Sequence, residues 1–101
     1  MDFDVGLRIK ELRMARGLST NKLSDMAGLS QSYVRNLEAG KYDNPTVDSL
    51  SLICEALGIA FEDFVNYKDL SFSQLKAMKI IRTLSDERLE GFCQLMKPQQ
   101  E

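Results

Sequence analysis

Short amphipathic stretches closed by glycine recur over the first sixty residues, ending at Gly17, Gly28, Gly40 and Gly58, and this punctuation restricts the chain to small helices. Glycine enters the left-handed conformation that ends a helix tightly, so each one reads as a stop. Ahead of Gly17, Val5, Ile9, Leu12 and Ala15 or Arg16 share one helical face, and Arg8, Lys10 and Glu11 cover the others. Ser19 caps a second helix of about two turns, with Leu23, Met26 and Ala27 as its apolar positions. Ser30 caps a third, in which Val34 and Leu37 form the inward stripe up to about Glu38. The outer face of that third helix carries Gln31, Ser32, Arg35 and Asn36.

The segment from Gly40 to Pro45 has loop chemistry, because Pro45 pushes Asn44 out of helical geometry. Thr46 then caps a fourth helix with Val47, Leu50, Ile53, Cys54 and Leu57 on its apolar face, and Ile59, Phe61 and Phe64 suit a short fifth helix over the core. Further on, Ser71 to Gln74 has the form of a capping box, and Leu75, Met78 and Ile81, with Ile80 beside them, continue a helix to about Leu84. Ser85, Asp86 and Glu87 open another, whose stripe is Leu89, Phe92, Leu95 and Met96. No alternating strand pattern competes. The expected fold is all-α: a five-helix domain over residues 1–67 and a helical hairpin over 68–101.

What the chain lacks bounds its chemistry. There is no histidine among the 101 residues, which removes histidine acid-base catalysis, Ser-His and Cys-His pairs and the commonest transition-metal ligand. No Gly-rich phosphate loop is present. Cys54 and Cys93 are far apart and form no Cys-x-x-Cys pair, so both read as packed, reduced thiols. The expectation is therefore a protein that is not an enzyme and that needs no metal or cofactor. No apolar run approaches the roughly 20 residues that span a bilayer, and Met1 to Asp4 lacks the look of a signal peptide, so the cytoplasm is the expected location.

The net charge is −2, but it is unevenly spread. Residues 1–42 hold seven basic residues (Arg8, Lys10, Arg13, Arg16, Lys22, Arg35, Lys41) against five acidic ones, and the remainder is acidic. Two short helices joined by a tight glycine turn, the second showing hydrogen-bonding side chains, are what reading the DNA major groove requires.

At this point the chain resembles the lambda-repressor-like (Cro/repressor, XRE) helix-turn-helix regulators. The resemblance covers Val5 to about Phe64 and rests on the order of several fragments: Ile9 to Arg13, Arg16 to Ser19, Ala27 to Ser30, Tyr33, Leu37 to Lys41, the Asn44-Pro45 loop and Ala56 to Ile59. It implies a sequence-specific transcriptional regulator, a repressor, that binds double-stranded DNA as a homodimer on a palindromic operator. Carried over position by position, it implies base reading by Gln31, Ser32, Arg35 and Asn36. Glutamine pairs bidentately with adenine and arginine with guanine, whereas serine discriminates poorly.

The same resemblance implies phosphate contacts from Ser19, Thr20, Lys22, Tyr33, Lys41, Tyr42 and Asn44, which set register. It also implies an ion pair between Arg13 and Glu38. The chain departs from the usual pattern in having Thr20 where glutamine is common and Ser24 where alanine is. The stripe of Leu89, Phe92, Leu95 and Met96 is read as a dimer contact, since an apolar side chain gains about 1.5–3 kcal/mol on burial. Covering the first domain, or holding a partner protein against the acidic hairpin, are its alternatives.

Overall fold

A computed structural model describes residues 4–42 and 45–84. The segment expected to form the second helix of a hairpin, with Leu89, Phe92, Cys93, Leu95 and Met96, and Asn44 lie outside the described residues. Six helices follow in order: α1 (Val5–Arg16), α2 (Thr20–Ala27), α3 (Gln31–Glu38), α4 (Val47–Leu57), α5 (Phe61–Asn66) and α6 (Phe72–Thr83). The described residues contain no strand. None of the described helices is long and apolar enough to cross a membrane.

Local chemistry sets the helix starts. Ser19 Oγ accepts from the backbone N–H of Lys22 at 3.0 Å, Ser30 Oγ from Tyr33 at 3.1 Å, and Thr46 Oγ1 from Ser49 at 3.1 Å, so each cap satisfies a donor the helix itself leaves open. Ser71 and Gln74 close both halves of the capping box. Between α2 and α3, Gly28 adopts φ 71°, which lets the N–H of Leu29 reach the carbonyl of Ser24 at 3.0 Å. A side chain at that φ would be strained.

The core lies where α1, α2, α3 and α4 meet, filled by Ile9, Leu12, Leu23, Val34, Leu37, Leu50, Ile53 and Leu57. Phe64 from α5 and Leu75 from α6 complete it, both fully buried. Four positions assigned to apolar faces, and the alternative Arg16, are instead at the surface: Ala15, Arg16, Met26, Val47 and Ile80. Leu23 and Ala27, one turn apart, already fill the inner face of the eight-residue α2, leaving Met26 at its margin. Val47 opens α4 beside the loop, outside the reach of the core.

Helix α6 packs on the preceding helices. Arg8 of α1 donates from Nη2 to the carbonyls of Tyr67 and Leu70, while Arg82 of α6 donates from Nε to Asp63 Oδ2 at 3.1 Å. Asp63 is completely buried in α5, and a buried carboxylate requires such a partner.

Candidate nucleic-acid interface

The geometry of the candidate surface starts with the stripe of α3. Val34 and Leu37 point into the core, which turns Gln31, Ser32 and Arg35 outward; Asn36 is half-buried. The backbone carbonyl of Asn36 accepts from Lys41 N–H at 3.0 Å, so the helix runs directly into the exposed loop that carries Lys41 and Tyr42. A helix presenting polar side chains beyond its capped N-terminus has the dimensions and donors that suit a major groove.

Helix α2 braces α3 and supplies a second exposed N-terminus. Ser19 and Lys22 are exposed there and Thr20 is half-buried. Ser24 is fully buried, and its hydroxyl is satisfied by the carbonyl of Asn21 at 2.8 Å. The departure from alanine at this close contact therefore leaves no stranded polar group.

Arg13 and Glu38 meet in a two-point contact, Nε to Oε2 at 2.8 Å and Nη2 to Oε1 at 3.0 Å, with both side chains largely buried. The third guanidinium nitrogen, Nη1, donates to Leu18 O at 2.7 Å, so α1 is clasped to the end of α3 and to the turn before α2. Lys10, Arg13, Thr20, Arg35, Glu38 and Ala39 line one shallow cleft of about 240 Å³ on this side of the molecule.

Tyr33 is placed differently from the other polar residues of α3. It is half-buried, its hydroxyl lies 2.7 Å from Ser49 Oγ, and its ring stacks on Tyr42 with centroids 5.0 Å apart. Ser49 is in turn tied to the Thr46 cap, with Thr46 Oγ1 3.0 Å away. Tyr33 thus connects α3 to the start of α4 and carries Tyr42, which is 38% exposed, on its face.

Of the seven basic residues near the N-terminal end, three arginines are committed to internal contacts. Arg8 serves the carbonyls after α5, Arg13 serves Glu38, and Arg16 donates to Ala56 O at the end of α4. Lys10, Lys22, Arg35 and Lys41 remain exposed. Sequence reasoning gave Lys10 no role in the site and did not name Asn21, Ser49 or Gly6. A lysine or asparagine on a polar helix face carries no local signal, and Gly6 sits inside a helix rather than at its end.

Two packed helices joined by a tight turn, the second exposed along its polar face, define a helix-turn-helix protein. The family model described as "Helix-turn-helix" matches residues 9–64, more than half of the chain, and the chain belongs to that family. It is 31% identical over 65 residues to the HTH-type transcriptional regulator SinR of Bacillus licheniformis, covering 64% of this chain and 59% of SinR. It is 38% identical over 66 residues to the immunity repressor protein of Bacillus phage phi105, covering 65% of this chain and 45% of the repressor.

The match thus spans about half to three fifths of those relatives. Among solved structures, the crystal structure of SinR in complex with DNA aligns with a TM-score of 0.57 and 28% identity, over 60% of this chain and 97% of that one.

Proposed function

We propose that this protein is a sequence-specific DNA-binding transcriptional regulator, a repressor, that reads the major groove with α3 and acts as a homodimer on a palindromic operator. The observation that carries the reading is the capped α3, braced by α2 and presenting Gln31, Ser32 and Arg35 outward. Asn36, half-buried, reads at the margin. The family membership and the names of the relatives support it.

Phosphate contacts fall to Ser19, Thr20 and Lys22 at the start of α2, and to Lys41, Tyr42 and Asn44 after α3. Tyr33 contributes by holding Tyr42 in place. Residues 1–67 form the DNA-binding unit, and 68–101 form a helical hairpin whose first helix docks on that unit. Leu89, Phe92, Leu95 and Met96 then make the contact between two copies. The chain works in the cytoplasm, without catalysis or cofactor.

Selection of bound duplexes from a random library tests the function. An enriched site, bound more weakly on Gln31→Ala or Arg35→Ala, is the expected result; no enrichment, or binding indifferent to both substitutions, overturns it. Native mass of the Leu89→Asp and Phe92→Asp chains tests the dimer contact, which is expected to shift to the monomer.

A further inference from the structure

Arg35 is exposed, yet it is not left to sample solution freely. Its Nη2 donates to Asn21 Oδ1 at 3.0 Å, so a residue of α2 reaches across to the recognition helix on the side of the cleft lined by Lys10 and Thr20. Asn21 itself stands on fixed backbone. The Ser19 cap holds the N–H of the next residue, Lys22, and Ser24 Oγ holds the carbonyl of Asn21.

The contrast with Arg13 identifies what such an arrangement is for. Arg13 gives Nε and Nη2 to a carboxylate and Nη1 to a backbone carbonyl, which neutralises it and uses all three nitrogens. Arg35 gives one nitrogen to an uncharged amide and has no ion-pair partner among the described residues. Its charge is intact, and Nε and Nη1 meet no acceptor among those residues. Guanine recognition needs two parallel N–H groups from a guanidinium, and a side chain already oriented loses less rotamer freedom when it binds.

We propose that Asn21 is a positioning residue that aims Arg35 and thereby sets base specificity at one position of the bound duplex. The assignment rests on the DNA-reading function proposed above. It names a residue on the supporting helix, not on the recognition helix, as a determinant of sequence preference. A carboxylate in its place would orient Arg35 as well but would offset the positive charge that draws any duplex, whatever its sequence.

The test uses the full chain on the duplex enriched from a random library, with affinities for all single-base variants read by fluorescence anisotropy. The position served by Arg35 is the one at which Arg35→Ala makes the four bases equivalent. Asn21→Ala is expected to lower preference at that position by about threefold to tenfold, the worth of one hydrogen bond, while preferences elsewhere persist. Its effect should vanish in the Arg35→Ala background, and Asn21→Asp should keep the preference while weakening binding to every duplex.

Equal weakening of all duplexes by Asn21→Ala, which marks a phosphate contact through its amide nitrogen, overturns the proposal. So does additivity with Arg35→Ala, an Arg35→Ala chain that discriminates every position as before, or a silent Asn21→Ala. A wild-type chain that enriches no duplex overturns the DNA-reading function as well, whereas an enriched duplex with a silent Asn21→Ala overturns this assignment alone.

Discussion

A methyl group added at Gly6 would sit 2.0 Å from the carbonyl oxygen of Leu37 and 3.1 Å from its carbonyl carbon, so α1 passes against the backbone of α3 with no room for a side chain. In an open helix Gly→Ala is stabilising by about 0.5–1 kcal/mol; here the expected sign is reversed, with a loss of about 1–3 kcal/mol from overpacking. Urea unfolding of Gly6→Ala measures it, and a gain in stability would show that the helices separate freely. Cys54 offers a second test at the same scale. Burial pushes its thiol up to about 12, with Glu62 adding to the rise and Lys79 opposing it, so the thiol stays protonated in the folded chain at neutral pH. Because the unfolded thiol ionises near its ordinary 9.0, the stability this group contributes is complete below that pH and declines as pH rises toward 12. In a Cys93→Ser chain, alkylation by iodoacetamide at pH 8 should be much slower in the native state than in urea. Equal rates would mean that Cys54 is accessible.

At the scale of elements, α6 is bound to the preceding helices by Leu75, which is fully buried, and by the contact of Arg82 with the buried Asp63. Leu75→Ala is expected to cost about 2–5 kcal/mol in a thermal or urea melt, the range for a core leucine. A loss under about 0.5 kcal/mol, typical of surface substitutions, would place α6 outside the cooperative fold. The starts of α2, α3, α4 and α6 were legible because Ser19, Ser30, Thr46 and Ser71 act on donors three residues away. The glycine stops of α1, α2 and α4 at Gly17, Gly28 and Gly58 were legible for the same local reason. The docking of α6 was not, since Leu75, Met78 and Ile81 form the same stripe whichever surface they meet. Within the candidate site, the outward set on α3 followed from the spacing of Val34 and Leu37. The inward turn of the Tyr33 hydroxyl and the reach of Asn21 did not, because both depend on residues brought near by tertiary packing: Ser49 in one case and the side chain of Arg35 in the other.

For the whole molecule, the division of the basic residues matters more than the net charge of −2. Arg8, Arg13 and Arg16 hold the helices together, and Lys10, Lys22, Arg35 and Lys41 are the exposed cations left in that part of the chain. Each phosphate neutralised contributes about −0.9 to the slope of log affinity against log salt. With Lys22 and Lys41 on phosphate and Arg35 on a base, one subunit yields a slope of about −1.8, and two subunits on one operator yield about −3.6. The exposed cations are few and the rest of the chain is acidic, so a single subunit should bind weakly at physiological salt and the symmetric pair should be the species that holds DNA. Anisotropy titrations across a salt series measure the slope directly, and a value near about −1.8 on the selected duplex would place only one subunit on it. Lys41→Ala distinguishes the two cases again: one phosphate contact is removed from each bound subunit, so the dimer should lose about 1.8 from its slope and a monomer about 0.9. Because a phosphate contact carries no base information, that loss should be the same on the selected duplex and on an unrelated one, provided both are occupied by the same number of subunits.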